Sequence, residues 1–230
     1  MSLMKVTSTQ RRRVKSLGPR RSMTHLLLGG MTIALFLLIP ILIPRGKQGI
    51  FLVIVLGYLS LFLILVTLLI GPLNLLRLRR NPVNIDLRRD IGIWAGIAGC
   101  LHVLLVIRGT ILNGQVLLYF LQRGCCGYTP LLNVYGISND LGLFATLLLA
   151  LLLALSNTVS LRVLKGKWWK RLQRLNYLLI LLAVGHTLGF QYLNLRGPVL
   201  LALVILSIVI VLAAQGLGIV LTLSHRYRGS

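Results

Sequence analysis

Two histidines lie inside long apolar stretches of this sequence, where an ionisable side chain is costly and usually has a function. His102 and His186 each have mainly apolar and small neighbours on either side. His25 and His225 instead stand near basic residues, at the ends of the first and the last apolar stretch. We interpret His25 and His225 as interfacial anchors, and take His102 and His186 as the residues that carry any chemistry.

The two internal histidines are expected at the same depth in a membrane. His102 follows Asp90 by twelve residues, and His186 follows Arg174 by twelve residues. At about 1.5 Å per residue, each lies roughly 18 Å from the charged start of its helix, slightly past the middle of a bilayer. Two imidazoles at one depth on two helices can be the two axial ligands of a haem iron. Each histidine could instead simply hydrogen-bond a neighbouring helix, and depth alone does not separate the two interpretations.

Small residues accompany both histidines along the predicted helices. They are Ala95, Ala98 and Gly99 before His102, and Ala183 and Gly189 on either side of His186. Their spacing puts them on the same helix face as the histidine that they accompany. Small side chains there leave room for a flat macrocycle, but they equally allow two helices to approach closely.

Two arginines follow the histidines toward the end of each span. Arg108 lies six residues beyond His102, and Arg196 lies ten beyond His186. Both could pair with haem propionates that point to the outer face, a charge-assisted contact. The alternative is that these long side chains simply extend to the interface. We retain Arg108 as a candidate cofactor-binding residue.

The sequence offers few residues for other kinds of catalysis. The chain lacks a dinucleotide-binding glycine motif, a P-loop lysine and a zinc-protease motif. Its acids and cysteines are few, namely Asp86, Asp90, Asp140, Cys100, Cys125 and Cys126. This composition argues against a hydrolase or a carboxylate-driven pump, and the cysteines lack zinc spacing. The neighbouring Cys125 and Cys126 are interpreted either as a strained disulfide or as two ordinary thiols.

The histidines must be positioned by membrane-spanning helices. The chain is 57% hydrophobic and 12% charged, with a mean hydropathy of +0.88, which is too apolar for a soluble domain. We predict an all-α integral membrane bundle with six spans, at 26–44, 49–73, 91–112, 138–161, 175–195 and 199–223. The domains expected are a basic tail over 1–24, a six-helix domain over 25–225 and a short terminus over 226–230. No internal repeat is apparent in the sequence.

The basic residues predict the orientation of the chain. The net charge of +22 does not indicate nucleic acid, because Lys and Arg lie between the apolar stretches. Most of them fall on one side if both termini are cytoplasmic, which predicts N-in and C-in topology. The other side or its helix ends hold only Arg45, Lys47, Arg108, Arg123 and Arg196. The loops at 77–90 and 165–174 are expected to contact anionic membrane lipids, or alternatively an acidic electron donor.

Two stretches around the histidines resemble a known family. The stretch Arg88–Ala95, followed by Cys100–His102, resembles the third helix of the ferric-reductase-like transmembrane family. The stretch Trp169–Tyr177, followed by Val184–His186, resembles the fifth helix of that family. Together they are particularly similar to the haem-binding membrane subunit of the bacterial methionine-sulfoxide reductase system.

The resemblance implies six helices that carry b-type haem and move electrons across the membrane, with His102 and His186 as iron ligands. Family members with two haems have a further histidine about four turns inward on each of these two helices. Arg88 and Gln173 stand at those positions here, and neither ligates haem readily. We therefore expect one haem b, in the outer half of the membrane, and no inner haem.

These inferences lead to a main function hypothesis and two rivals. The main one is an electron-transfer subunit of an oxidoreductase in a bacterial inner membrane. Its donor would be quinol or a membrane-bound reductase, and its acceptor an extracytoplasmic reductase or ferric iron. The first rival is a haem-free scaffold or assembly factor with the same fold. A transporter is the second, weakened by the scarcity of buried acids and of helix pairs broken by Pro or Gly.

Overall fold

The computed structural model describes residues 19–42, 44, 47–76, 85–112, 117–124, 127–193 and 198–228. Helices dominate these residues, with a short hairpin between the third and the fourth helix. The helices are α1 Pro19–Leu42, α2 Gln48–Leu76, α3 Ile85–Leu112, α4 Val134–Leu155, α5 Thr158–Val163, α6 Lys165–Gln173, α7 Leu175–Leu193 and α8 Pro198–Arg228. The hairpin strands are β1 Leu121–Gly124 and β2 Gly127–Pro130, and a 3-10 turn over Leu117–Tyr119 precedes them.

Several helix boundaries follow from local sequence signals. Pro19 and Pro198 occupy the first position of α1 and α8, where proline's missing N–H costs nothing. Asn133 caps α4, since its side chain accepts a hydrogen bond from the Gly136 N–H at 2.9 Å. In the hairpin, Gly127 has a φ of 133°, a conformation that an L side chain rarely adopts.

Six of the helices are long and apolar enough to cross a membrane. They are α1, α2, α3, α4, α7 with the end of α6, and α8, so the predicted all-α fold with six spans is confirmed. Their outward faces carry exposed apolar side chains such as Phe62, Leu147 and Leu212, which suit lipid rather than water. We call the bundle ends inner and outer after the predicted orientation.

The structure corrects some predicted boundaries. Helix α1 begins at Pro19, before the start of the predicted span 26–44, so Arg21 lies inside the helix. It can do so because Arg21 pairs there with Asp90. Helix α4 covers 134–155 and not the predicted 138–161, because Asn157 caps a separate short helix. The Trp169 indole N–H then donates to the Leu155 carbonyl at the end of α4, at 3.0 Å.

Four spans form the centre of the bundle. Helix α2 packs on α3, α3 on α4, α4 on α7, and α7 on α2. Neighbours in this ring run antiparallel, so α3 and α7 stand diagonally across it and both run outward. The core of the bundle is apolar, with Leu56, Ala98 and Leu179 almost fully buried. Helix α1 flanks α2 and α3, whereas α8 flanks α2.

Candidate functional site

His102 on α3 and His186 on α7 face each other inside this ring. Their ring centroids are 6.2 Å apart, and the ring planes are nearly perpendicular, at 85°. Both residues are partly buried. The structure therefore brings together the two histidines that the sequence singled out, which the parallel directions of α3 and α7 and the equal depth of the two residues allow.

His102 rests on the neighbouring helix α2. Its Nδ1 lies 2.7 Å from the Val53 carbonyl oxygen. One turn further along α2, the ring packs against Gly57, where a Cβ would lie 3.1 Å from Nδ1 and 3.2 Å from Cε1. The absence of a side chain at Gly57 is what makes room for the ring.

His186 rests on α4 in the same manner. Its Nδ1 lies 2.8 Å from the Ser138 carbonyl oxygen. One turn further along α4, a Cβ at Gly142 would lie 2.6 Å from Nδ1 and 2.8 Å from Cε1 of the ring. Contacts that short are not observed for real side chains, so only glycine fits beside His186 in this arrangement.

These hydrogen bonds fix the protonation pattern of both rings. A carbonyl oxygen only accepts, so Nδ1 of each histidine must carry the proton and donate it. In a neutral imidazole the lone pair then lies on Nε2, the nitrogen that can ligate a metal. His25 is set up differently, because its Nδ1 accepts a hydrogen bond from the Trp94 indole N–H at 3.0 Å.

The histidine pair fits a haem better than a metal ion held by protein ligands alone. Within the residues described, no group of three or more His, Cys, Asp or Glu side chains could hold a metal ion. A haem iron needs only two protein ligands, because its macrocycle supplies the rest. Two imidazoles that were to share one iron would need ring centroids about 6 Å apart, given metal–nitrogen bonds of about 2 Å. The observed 6.2 Å agrees with that spacing.

Aromatic and polar side chains continue from the pair toward the outer end. The ring of Phe190 lies 5.0 Å from that of His186, and Tyr135 lies 5.9 Å beyond Phe190. Tyr119, from the turn before the hairpin, stands 5.7 Å from Tyr135. The buried Gln191 amide on α7 donates a hydrogen bond to the Tyr58 hydroxyl on α2, which joins these two helices.

The small residues near the histidines serve mainly to bring helices together. A Cβ at Gly99 would clash with the Leu149 side chain, and one at Gly189 would overlap the Ser138 hydroxyl. Ala95 and Ala98 are buried in the same helix contacts. Of the two interpretations of these residues, the structure favours close helix packing.

The inner end holds no second pair of imidazoles at the positions compared with the family. Arg88 is partly buried near the start of α3, and Gln173 ends α6. The Gln173 Nε2 is buried and has no hydrogen-bond partner among the described residues. Nearby on α3, Asp90 is 1% exposed and accepts two hydrogen bonds from Arg21, at 2.9 and 2.5 Å.

Some predicted site residues stand apart from the pair. Arg108 is exposed at the outer end of α3, and its contact with a propionate stays a prediction. Cys100 is a free, partly buried cysteine on α3. Arg196, Cys125 and Cys126 lie outside the described residues, so the interpretations of these three stay predictions.

Sequence reasoning missed the two histidine seats, by which we mean Val53 with Gly57 and Ser138 with Gly142. A backbone carbonyl carries no residue-type signal, so Val53 and Ser138 could not be selected. The available signal was a glycine within an apolar span, at Gly57 and at Gly142. Several other glycines in the spans share that signal, which makes it unspecific.

Comparison with known families supports the resemblance seen in the sequence. Residues 56–184 match the family described as ferric reductase like transmembrane component. The matched segment covers more than half of the chain and includes Gly57, His102 and Gly142. It ends two residues before His186. No curated protein matches the chain.

Proposed function

The chain belongs to the ferric-reductase-like transmembrane family, and from that premise we propose that it is a b-type membrane cytochrome. It is a multi-pass integral membrane protein, and its family points to electron transfer within the membrane. In our proposal it binds one haem b through His102 and His186. Electrons then pass through the protein one at a time toward an acceptor outside the cytoplasm.

The observation that carries this proposal is the facing pair of histidines. They lie on α3 and α7, which stand diagonally across the bundle, and their ring centroids are 6.2 Å apart. Each histidine donates its Nδ1–H to a backbone carbonyl of the neighbouring helix. A ring N–H that donates to a backbone carbonyl is typical of metal-ligating histidines. Histidines that merely joined helices would not need to face each other across the bundle with the same kind of hydrogen bond.

The protein's part in the chemistry is to hold the haem and to tune its reduction potential. A bound haem supplies a one-electron couple between ferrous and ferric iron. His102 and His186 would both hold the haem through its iron, and a haem held by two histidines would serve the transfer of single electrons. The hydrogen bonds to Val53 and Ser138 fix the tautomer and the orientation of both imidazoles, which pack between helices.

The proposed kind of electron donor follows from the side chains of Arg88 and Gln173. Neither side chain ligates haem readily, so we propose a single haem in the outer half and no inner haem. An electron must then reach His102 and His186 from within the bilayer. A lipid-soluble quinol or a membrane-bound reductase suits that entry, and an extracytoplasmic reductase or ferric iron suits the exit.

Transfer through the protein can be measured in vesicles that contain reduced quinol in the bilayer and ferricyanide outside. We expect His102→Ala and His186→Ala to lower the rate of ferricyanide reduction at least about tenfold, to that of empty vesicles. His25→Ala is the matched control, because His25 hydrogen-bonds Trp94 and takes no part in the proposed haem site. Equal rates in all four proteins would contradict the proposed function.

A further inference from the structure

We infer that Gly57 and Gly142 are equivalent positioning residues, each of which sets the plane of one histidine in a repeated pair of helices. This inference deepens the proposed function, because a haem held by His102 and His186 is the most sensitive probe of the ring planes. The geometry of the two seats carries it.

The repeat consists of two antiparallel helix pairs, α2 with α3 and α4 with α7. In each pair the first helix supplies a carbonyl and, four residues later, a glycine. The second helix supplies the histidine, which lies 49 residues after the carbonyl in one pair and 48 in the other. Because both pairs lie in one ring and run in the same directions, a pseudo-twofold axis along the bundle relates them.

The four-residue spacing has a physical reason. In an α-helix the carbonyl of residue i accepts the N–H of residue i+4, and one lone pair of that oxygen remains. A side chain at i+4 leans back over the preceding turn and covers this oxygen. Glycine at i+4 uncovers it, so the oxygens of Val53 and Ser138 are open to a second donor, the histidine Nδ1–H.

The two seats differ in the space between the glycine and the histidine ring, so the inference predicts a larger effect at one seat than at the other. A Cβ at Gly142 would lie 2.6 Å from Nδ1 of His186, so the ring would have to move. A Cβ at Gly57 would lie 3.1 Å from Nδ1 of His102, so a shift of a few tenths of an ångström suffices there. Gly71 and Gly109, in the same helical bundle, leave open space around an added Cβ among the described residues outside their own helix turn.

The near-perpendicular ring planes are the property that the seats maintain. The two rings are held at 85° to each other, each by its own carbonyl and glycine. For a low-spin ferric haem, perpendicular axial imidazoles give a strongly anisotropic EPR signal with one dominant low-field feature. Imidazoles in parallel planes give an ordinary rhombic signal instead.

The experiment compares EPR spectra and haem retention of the purified, haem-loaded protein and four variants. We expect the low-field feature in the wild type, a moderate shift in Gly57→Ala, and a larger shift in Gly142→Ala. Gly142→Ala should also retain haem about tenfold less tightly, as expected when an orienting contact of a metal ligand is lost. Gly71→Ala and Gly109→Ala should match the wild type in both measurements.

Different results would overturn different claims. A rhombic wild-type signal, or four variants with the wild-type signal, would overturn the role of the glycines and leave the cytochrome intact. A wild type that binds no haem would overturn the proposed function. The seats would then be tested by thermal unfolding, where only Gly142→Ala and Gly57→Ala should lose stability, and equal stability of all variants would refute them. If Gly142→Ala does not accumulate, the milder Gly57→Ala decides.

Discussion

At the scale of single residues, Arg108 is the predicted partner of the haem's acidic groups. It is exposed at the outer end of α3, six residues beyond His102. Removal of a positive charge near the haem favours the ferric form, so Arg108→Gln should lower the reduction potential. For an exposed charge we expect a shift of about 30 mV. This is about half of the 59 mV that corresponds to a tenfold change in the equilibrium constant of a one-electron couple.

Potentiometric titration of the haem absorbance measures this shift. Arg123→Gln is the matched control, because Arg123 is an equally exposed arginine on β1 of the outer hairpin. A potential that is unchanged in Arg108→Gln would remove this residue from the site.

The sequence identified the chemical groups of the site but not what orients them. His102 and His186 stand out because imidazoles are rare within apolar stretches, and equal depth follows from equal spacing to the charged ends. The oxygens of Val53 and Ser138 are backbone atoms, so no residue type announces them. Gly57 and Gly142 become distinguishable from other glycines only once the facing helix is known.

At the scale of helices, a buried ion pair fixes α1 to α3. Asp90 is 1% exposed, and Arg21 donates two hydrogen bonds to it, whereas His25 Nε2 lies 3.5 Å from the same carboxylate. Arg21→Gln would leave this carboxylate buried without its main counter-charge. We expect that change to lower the free energy of unfolding by about 3 kcal/mol.

Thermal or denaturant unfolding in detergent checks this expectation. The control Arg123→Gln removes an exposed arginine and should change the stability by less than about 0.5 kcal/mol. The ion pair would be shown to be unimportant for anchoring α1 if both variants unfolded alike.

The number of spans could be predicted from the sequence, whereas some ends of the spans could not. Apolar length gives six helices, because a helix must be long enough to cross the bilayer. Hydropathy misplaced the end of α4, since Val159 and Leu161 are apolar but follow the helix cap at Asn157. It also excluded Arg21 from α1, because the partner of this charge, Asp90, is 69 residues away.

At the scale of the whole molecule, the site depends on which helices lie diagonally. A central ring of α2, α3, α4 and α7 puts the two histidine helices opposite each other, and α1 and α8 lie outside it. The sequence orders the helices but does not say which of them meet in space. The paired seats are likewise visible only in three dimensions, which explains why no repeat was apparent along the chain.

The central claim is that His102 and His186 together hold one haem. The most direct measurement is a reduced-minus-oxidised absorbance spectrum with the haem-to-protein ratio, for the purified wild type, His102→Ala and His186→Ala. We predict sharp b-type bands and about one haem per chain in the wild type, and loss of both in either variant. A colourless wild type from haem-supplied cells would contradict the claim and favour a haem-free scaffold.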